Sequence, residues 1–250
     1  MARLSKTGKN ARLGDGVLTV GKSNVNARSG FMSTDKSWLN FKLRLCEHEG
    51  IKVTSKGTQK SGYGGTKTIY KFTSRVNERL TEVYNASIDE VISDLDKVDL
   101  FIWFIDDGSW HKTSNTIHLY CNMFDDREVS LLSDQIEELY KVRPTKRIDR
   151  KKDGRQFNYL YFPRDLVRLF HPEAKEFIEA NHLESMYYKV GGKYYEDKPP
   201  REQLSDDTVR TIRRLYKGKR GDIKFIVERL EISRDKVKGV ISGQTYRSVF

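Results

Sequence analysis

The chain has 250 residues, of which 37% are hydrophobic and 32% charged, and its formal net charge is +11. This length allows a sizeable core, and no apolar run approaches the roughly 18 residues of a membrane span, so we expect a soluble protein with no membrane partner. The N-terminus lacks an apolar signal segment, and the two cysteines cannot form a disulfide framework, so an intracellular location is expected. The basic charge favours nucleic acid or another anionic surface as the partner.

A helix–strand–strand–helix–strand–strand–helix order is predicted for residues 1–92. The first helical segment ends at Leu13 and is followed by Gly14, Asp15 and Gly16. Alternating apolar residues then predict strands, and apolar residues near 3.6-residue spacing predict helices. In chain order these segments are the strands VLTVG and ARSGFMST, the helix DKSWLNFKLRLCEHEG, the strands IKVTSK and TKTIYKFT around a glycine-rich turn, and the helix VNERLTEVYN.

The same order recurs in residues 93–190. Asp15-Gly16 has a counterpart in Asp107-Gly108, 92 residues later (107 minus 15), at the end of the apolar segment FIWFIDDGSW. Two copies of this size predict a pseudo-symmetric pair with both Asp-Gly sites near the pseudo-axis. The segments after the second site are the strands SWHKT and TIHLYCN, the helix DREVSLLSDQIEELYK, the strands RPTKRIDRK and QFNYLYF joined by the turn KDGR, and the helix PRDLVRLF.

The composition changes after residue 190. Residues 191–203 contain Gly-Gly and Pro-Pro, which are typical of a linker. Residues 204–250 hold three short helical patterns, two of which start at the capping residues Ser205 and Ser233. A short helix, a tight turn and a second capped helix predict a helix-turn-helix DNA-binding domain, although a small helical packing domain fits the same pattern.

Five short segments together resemble the LAGLIDADG homing endonucleases over about residues 10–190. The segment FIWFIDDGSW is similar to the second signature helix of a subgroup that ends this helix in Trp-Phe-x-Asp-Asp-Gly, and LGDG at 13–16 is similar to the end of the first. The segments IHLYCNMFDDREVSLL, FNYLYFP and NHLESMYYK follow in the order of the family. The resemblance implies an α+β fold in which two pseudo-symmetric αββαββα halves form antiparallel DNA-binding sheets.

The resemblance also implies a metal-dependent nuclease site. The last aspartate of each signature helix binds a divalent metal in the family, which by position makes Asp15 and Asp107 the metal ligands and catalytic residues here. Mg²⁺ is the expected cofactor, because it takes carboxylate and phosphate oxygens as ligands. Asn122 matches a position near the metal waters, and Lys189 matches a basic residue near the scissile phosphate, although an exposed structural lysine is an equal alternative.

Two features depart from the family pattern. The first signature helix is polar, with Arg12 where an apolar interface residue is expected, and the segment YNASIDEVISD offers no counterpart of Lys189. The two active sites are therefore expected to be unequal. Asp106 has no counterpart either, since Gly14 occupies the matching place, so a capping or packing role is predicted for it.

Basic residues on the predicted strands and on the last helix are the candidate DNA contacts. Antiparallel ribbons fit the major groove of duplex DNA, where Arg and Lys read guanine and Asn reads adenine. Alternation along the strands leaves open whether Tyr63, Tyr159 and Tyr161 line this surface or the core. The candidates are Lys67, Lys71, Arg143, Lys146, Arg147, Arg150, Arg155, Asn158, Arg234, Lys236 and Lys238.

Three functions fit these patterns. The first is a monomeric, site-specific, magnesium-dependent endonuclease that binds a long asymmetric duplex target. The second is a maturase that binds intron RNA and does not cleave, which the helix-turn-helix disfavours because the deep RNA major groove resists side-chain reading. The third is a DNA-binding repressor with degenerate catalytic sites, which the polar first helix keeps open.

Overall fold

A computed structural model describes residues 3–21, 25–60, 67–111, 114–150, 154–191, 204–219, 221–243 and 246. The chain divides into two compact units, Met1–Asp197 and Lys198–Phe250. The predicted linker lies outside the described residues except for Gly191, and so do Tyr63 and most of the two predicted hairpin turns.

The first unit contains the predicted repeat. Each half forms a four-stranded antiparallel sheet, and the strand orders β1-β2-β4-β3 and β5-β6-β8-β7 are equivalent. The elements of the first half are α1 Lys6–Leu13, β1 Gly16–Val20, β2 Ala27–Ser33, α2 Lys36–His48, β3 Val53–Lys60, β4 Thr68–Ser74, α3 Glu78–Asn85 and α4 Ile88–Ser93. Those of the second half are α5 Lys97–Asp107, β5 Gly108–His111, β6 Thr116–Tyr120, α6 Asp126–Tyr140, β7 Thr145–Arg150, β8 Gln156–Phe162, α7 Arg164–Ala180 and a 3-10 helix, Glu184–Val190.

One face of each sheet packs against helices. Phe31 and Phe72 are buried side by side on this face of the first sheet. In the second sheet Leu119, Leu160 and Phe162 are fully buried, where α6 and α7 pack against strands β6 and β8. Because side chains alternate along a strand, the residues between these positions point to the opposite face, which is called the outer face below.

Helix α5 is the centre of the core. Its residues from Leu100 to Ile105 are all buried, which is the pattern of a helix covered on every side. The helix begins with a capping box, in which Asp96 accepts from the Asp99 amide at 2.8 Å and Asp99 accepts from the Asp96 amide at 3.0 Å. It ends where Gly108 starts strand β5.

Helix α1 packs against α5 through polar groups. Lys9 Nζ, buried to 1% exposure, lies 2.7 Å from Asp99 Oδ2 and 2.8 Å from Asp94 Oδ2. Arg12 donates to the carbonyls of Val83 and Ala86, both at 2.6 Å, near the end of α3. The polar residues Lys9 and Arg12 of the first helix, which depart from the family pattern, therefore have ion-pair and hydrogen-bond partners in the folded chain.

Substitution of Gly8 should reverse the usual effect of replacing a helical glycine. At a solvent-exposed position inside a helix, Gly→Ala stabilises the folded protein by about 1 kcal/mol. A Cβ at Gly8 would lie 2.7 Å from Val83 Cγ2, so we expect Gly8→Ala to lower the free energy of unfolding by about 1–3 kcal/mol. Urea unfolding measures this, and in a Val83→Ala background, which removes Cγ2, the loss caused by Gly8→Ala should be smaller. A stabilising effect in the unmodified chain would contradict the close packing of α1 on α3.

The second unit contains three helices, α8 Asp206–Leu215, α9 Asp222–Leu230 and α10 Arg234–Ile241. Val209, Ile212, Ile226, Val237 and Val240 form its buried core. A short turn at 231–233 joins α9 to α10, and Ser233 caps α10. In the part of the chain that the structure describes, none of the helices has the length and apolar composition that a bilayer crossing requires.

Candidate functional site

Asp15 and Asp107 lie at equivalent junctions, where a packed helix passes into the first strand of its sheet. Asp15 follows the end of α1, and Asp107 is the last residue of α5. A glycine is required after each, because a Cβ would lie 2.5 Å from Ala11 Cα at Gly16 and 2.5 Å from the Phe104 carbonyl oxygen at Gly108. The Asp-Gly pairs therefore mark sharp helix-to-strand turns that present carboxylates at the ends of two adjacent helices.

Asp15 lies close enough to Asp107 for its negative charge to perturb the Asp107 carboxyl group. Burial, followed by the negative charges of Asp15 and Asp106, raises the pKa of Asp107 from its usual 3.8 to about 7. Burial and the charge of Asp106 also raise the pKa of Asp15. Perturbed carboxylates clustered in this way are typical of functional sites, and a cation placed between them would relieve their repulsion.

Asp106 lies beside this pair in a buried polar cluster. Its side chain is fully buried and accepts from Lys42 Nζ at 2.7 and 2.8 Å and from Trp38 Nε1 at 2.7 Å. It also accepts from Asn10 Nδ2 at 2.9 Å and from the backbone amide of Asp15 at 3.2 Å. The packing role expected for Asp106 is thus present, while its partners in α2 are not apparent from the sequence.

Lys189 lies at the same site. Its ammonium group donates to the backbone carbonyls of Gly108 at 2.8 Å and Asp106 at 3.2 Å. Burial lowers the pKa of Lys189, while the charges of Asp106, Asp15 and Asp107 act in the opposite direction. The half-buried lysine is therefore within electrostatic reach of the predicted metal ligands, although its role in catalysis stays a prediction.

The donor set fits a hard divalent cation. Asp15 and Asp107 offer carboxylate oxygens, which Mg²⁺ prefers, and it usually completes its coordination with water and substrate phosphate. Among the residues that the structure describes, no three His, Cys, Asp or Glu side chains converge as a complete protein metal site. Asn122, the other predicted site residue, lies exposed in the turn after strand β6.

The outer face of the second sheet carries a basic and aromatic surface. Arg147 is paired with Tyr159 across strands β7 and β8, and its guanidinium lies 3.8 Å from the ring centroid of Tyr161. The ring centroids of His111 and His118 lie 3.8 Å apart, and those of His118 and Tyr159 lie 4.5 Å apart. The register therefore places both tyrosines on the outer face and adds two histidines that are absent from the predicted contacts.

The other predicted DNA contacts have different surroundings. Lys71 is exposed on the outer face of the first sheet and donates to Gln59 at 3.0 Å. Lys146 and Asn158 share the helix-packed face, where both contact Asp126 at the start of α6, and Arg143 is ion-paired with Asp134 and Glu137 of α6. As DNA contacts these three stay predictions, and so do the exposed Lys67, Arg150 and Arg155.

The predicted contacts of the second unit lie on its last helix. Arg234 and Lys238 are exposed, and Lys236 is half-buried. Val237 and Val240 face the core of this unit, so the basic residues lie on the remaining surface of α10.

Comparisons with known proteins identify the family of the first unit. A model of the LAGLIDADG DNA endonuclease family matches residues 12–170, whereas a search of curated proteins gives no significant match. The homing endonuclease I-WcaI bound to its DNA recognition sequence is 18% identical, with 76% of this chain and 88% of that chain covered and a TM-score of 0.58. I-DmoI in complex with DNA and Mn is 15% identical, with 66% and 96% covered and a TM-score of 0.44.

A further similar structure is full-length DUF199/WhiA from Thermatoga maritima, which is 12% identical, with 95% of this chain and 89% of that chain covered and a TM-score of 0.41. The likeness to I-WcaI agrees with the two four-stranded sheets and shows the expected α+β fold. The family model spans more than half of this chain, so the chain belongs to the LAGLIDADG DNA endonuclease family.

Proposed function

We propose that the protein is a site-specific endonuclease that hydrolyses both strands of a long, asymmetric duplex with the help of Mg²⁺. The observation that carries this proposal is the pair Asp15 and Asp107 at the ends of two packed helices, where burial raises the pKa of both carboxyl groups and the charge of Asp15 raises that of Asp107 further. Two carboxylates near a pseudo-two-fold axis suit two scissile phosphates, one on each strand.

The chemistry requires charge neutralisation at the phosphate and an activated water. A divalent metal bound by Asp15 and Asp107 would supply both, as in other phosphodiester hydrolases. The residues of the chain hold the carboxylates in place, and Lys189 brings a positive charge beside them. Such a fixed charge stabilises the negative charge that develops on phosphate oxygens.

The outer faces of the two sheets are the proposed DNA surface. Arg147 with its tyrosine neighbours and Lys71 lie on these faces, which the helices leave uncovered. Among the residues that the structure describes, an aromatic and histidine cluster lies on the outer face of the second sheet and not on that of the first, so we expect the two halves to read different sequences. This difference supports an asymmetric target.

A cleavage assay on a selected target tests the proposal. Duplexes that the chain binds are selected from a randomised pool, end-labelled, and incubated with Mg²⁺ or with EDTA. We expect cuts at defined positions on both strands with Mg²⁺ and none with EDTA. Binding without cleavage at every Mg²⁺ and Mn²⁺ concentration would favour the repressor, and selective binding of structured intron RNA would favour the maturase.

The last helix is proposed to bind DNA in addition to the sheets. If Arg234 and Lys238 contact phosphates, Arg234→Ala with Lys238→Ala should weaken binding and reduce the slope of log K against log salt by roughly 1.8, about 0.9 for each contact. Fluorescence anisotropy at several salt concentrations measures the slope. Lys224→Ala, on the exposed surface of α9, is the control, and an unchanged slope would indicate that the second unit is a packing domain.

A further inference from the structure

Asp106 belongs to the second half of the repeat, but the groups that it holds belong to the first. We propose that Asp106 is a positioning residue for Asp15, the metal ligand of the opposite half, and that Lys42 is the charge partner that makes this possible. This inference rests on the proposed nuclease function, and it assigns a role to two residues that lie outside the predicted metal site.

The hydrogen bonds of Asp106 require a carboxylate. Oδ1 accepts from Trp38 Nε1 and Lys42 Nζ, and Oδ2 accepts from Lys42 Nζ, Asn10 Nδ2 and the amide of Asp15. Every partner is a donor, and only an ionised carboxylate offers acceptors on both sides. An asparagine of the same size would direct its NH₂ group at one of these donor sets and lose it.

These contacts fix the end of helix α1. Asn10 lies in its last turn and Asp15 directly after it, so Asp106 holds both sides of the point at which the chain leaves the helix. Lys42 lies in α2, its side chain is 1% exposed, and its ammonium group neutralises the fully buried charge of Asp106. Since a buried carboxylate without a partner is costly, the ion pair with Lys42 stabilises the arrangement that positions Asp15.

The arrangement has a built-in asymmetry. Gly14 stands at the position equivalent to Asp106 and has no side chain with which to hold Asp107 in return. A Cβ at Gly14 would lie 2.3 Å from Asp106 Oδ2, so a second carboxylate does not fit. Asp107 has a different neighbour, since Lys189 contacts the carbonyls on both sides of it. The two metal ligands are thus positioned by different means.

A second buried ion pair on the same two helices provides a matched control. Lys9 and Asp99 join α1 to α5 at 2.7 Å, with side chains 1% and 3% exposed. Asp99 lies in the first turn of α5, about 12 Å along the helix from Asp107 at 1.5 Å per residue. Asp99→Asn should therefore disturb the interface and the stability without acting on Asp15.

Hydrogen exchange gives a readout that does not depend on activity. We expect Asp106→Ala, which removes the acceptor, to accelerate exchange of the Asp15 amide about ten-fold, whereas Asp99→Ala should leave it unchanged. NMR on the full chain, at a temperature where both variants are folded, measures the rate. Equal exchange rates at Asp15 in Asp106→Ala and the unmodified chain would overturn the inference.

Strand-specific cleavage tests the consequence for function. With both strands of a selected duplex labelled differently, Asp106→Asn should change the ratio of the two cleavage rates by about ten-fold or more, the usual effect of losing a group that orients a metal ligand. Asp99→Asn should keep the ratio. An unchanged ratio in folded Asp106→Asn would contradict the positioning role. If the unmodified chain cuts neither strand, the proposed function fails, and the exchange rate of Asp15 alone decides the inference.

Discussion

Asp107→Asn is expected to lower the rate of DNA cleavage by about 10²–10³-fold or more while target binding is retained, because it removes a preorganised charge at the reacting phosphate without changing the volume of the side chain. Single-turnover cleavage and anisotropy on the same duplex measure the two effects separately. Asp99→Asn removes another carboxylate of α5, away from the proposed metal, and is the control. Full cleavage by Asp107→Asn would exclude Asp107 as a metal ligand.

The same substitution should change how stability depends on pH. Burial and two neighbouring carboxylates raise the pKa of Asp107 to about 7 in the folded state, against an unfolded value near 3.8. Between these values the folded state binds more protons than the unfolded one, so its stability falls as pH rises. In EDTA, Asp107→Asn should remove on the order of 2 kcal/mol of this fall, as measured by urea unfolding at pH 5 and pH 8. Parallel pH curves for the two proteins would contradict the clustering of the carboxylates.

The order of the elements is accessible to sequence reasoning, since it depends on periodicity within each segment. The alternating strands, the capped helices and the spacing of Asp15 and Asp107 together predict two copies of one unit, and the two sheets have this order. Helix α4 is absent from the prediction, because its six residues are too few to show a helical period. Its Ser87–Glu90 capping box is a local pattern that indicates a helix start.

The partners of the polar first helix could not be predicted, because they lie in distant parts of the chain. Lys9 is a charged residue in a helix that is expected to be apolar. Its partners Asp94 and Asp99 follow 85 and 90 residues later in the sequence, so the sequence alone does not connect them to it. Asp106 and Lys42 are 64 residues apart, and neither belongs to a pattern that points to the other. Burial of a charge is decided by tertiary packing, so the sequence shows the charges without showing which of them are paired.

Composition also does not determine on which face of the sheet each basic side chain lies. Arg147 and Lys146 are adjacent and equally basic, yet Arg147 lies opposite Tyr159 on the outer face and Lys146 opposite Leu160 on the helix-packed face. A shift of one residue in register would exchange them. Only the pairing of β7 with β8 decides whether Arg147 or Lys146 lies on the proposed DNA surface.

Lys42→Met is expected to lower the free energy of unfolding at pH 7 by about 3–5 kcal/mol, because it leaves the fully buried charge of Asp106 without its partner. Methionine keeps most of the apolar contact with the rings of Phe31 and Trp38, each 5.2 Å from Nζ, so the loss reports the charge more than the volume. Urea unfolding at pH 7 measures the loss.

Lys97→Met gives the matched comparison for this loss. Lys97 also pairs with a carboxylate at 2.7 Å, Glu173, but the two side chains are 41% and 37% exposed. An ion pair in contact with water contributes about 0–1 kcal/mol, so Lys97→Met should cost much less than Lys42→Met. Equal losses for the two variants would mean that Asp106 is hydrated or neutral in the folded protein. It would then lack the buried charge through which it is proposed to hold Asp15.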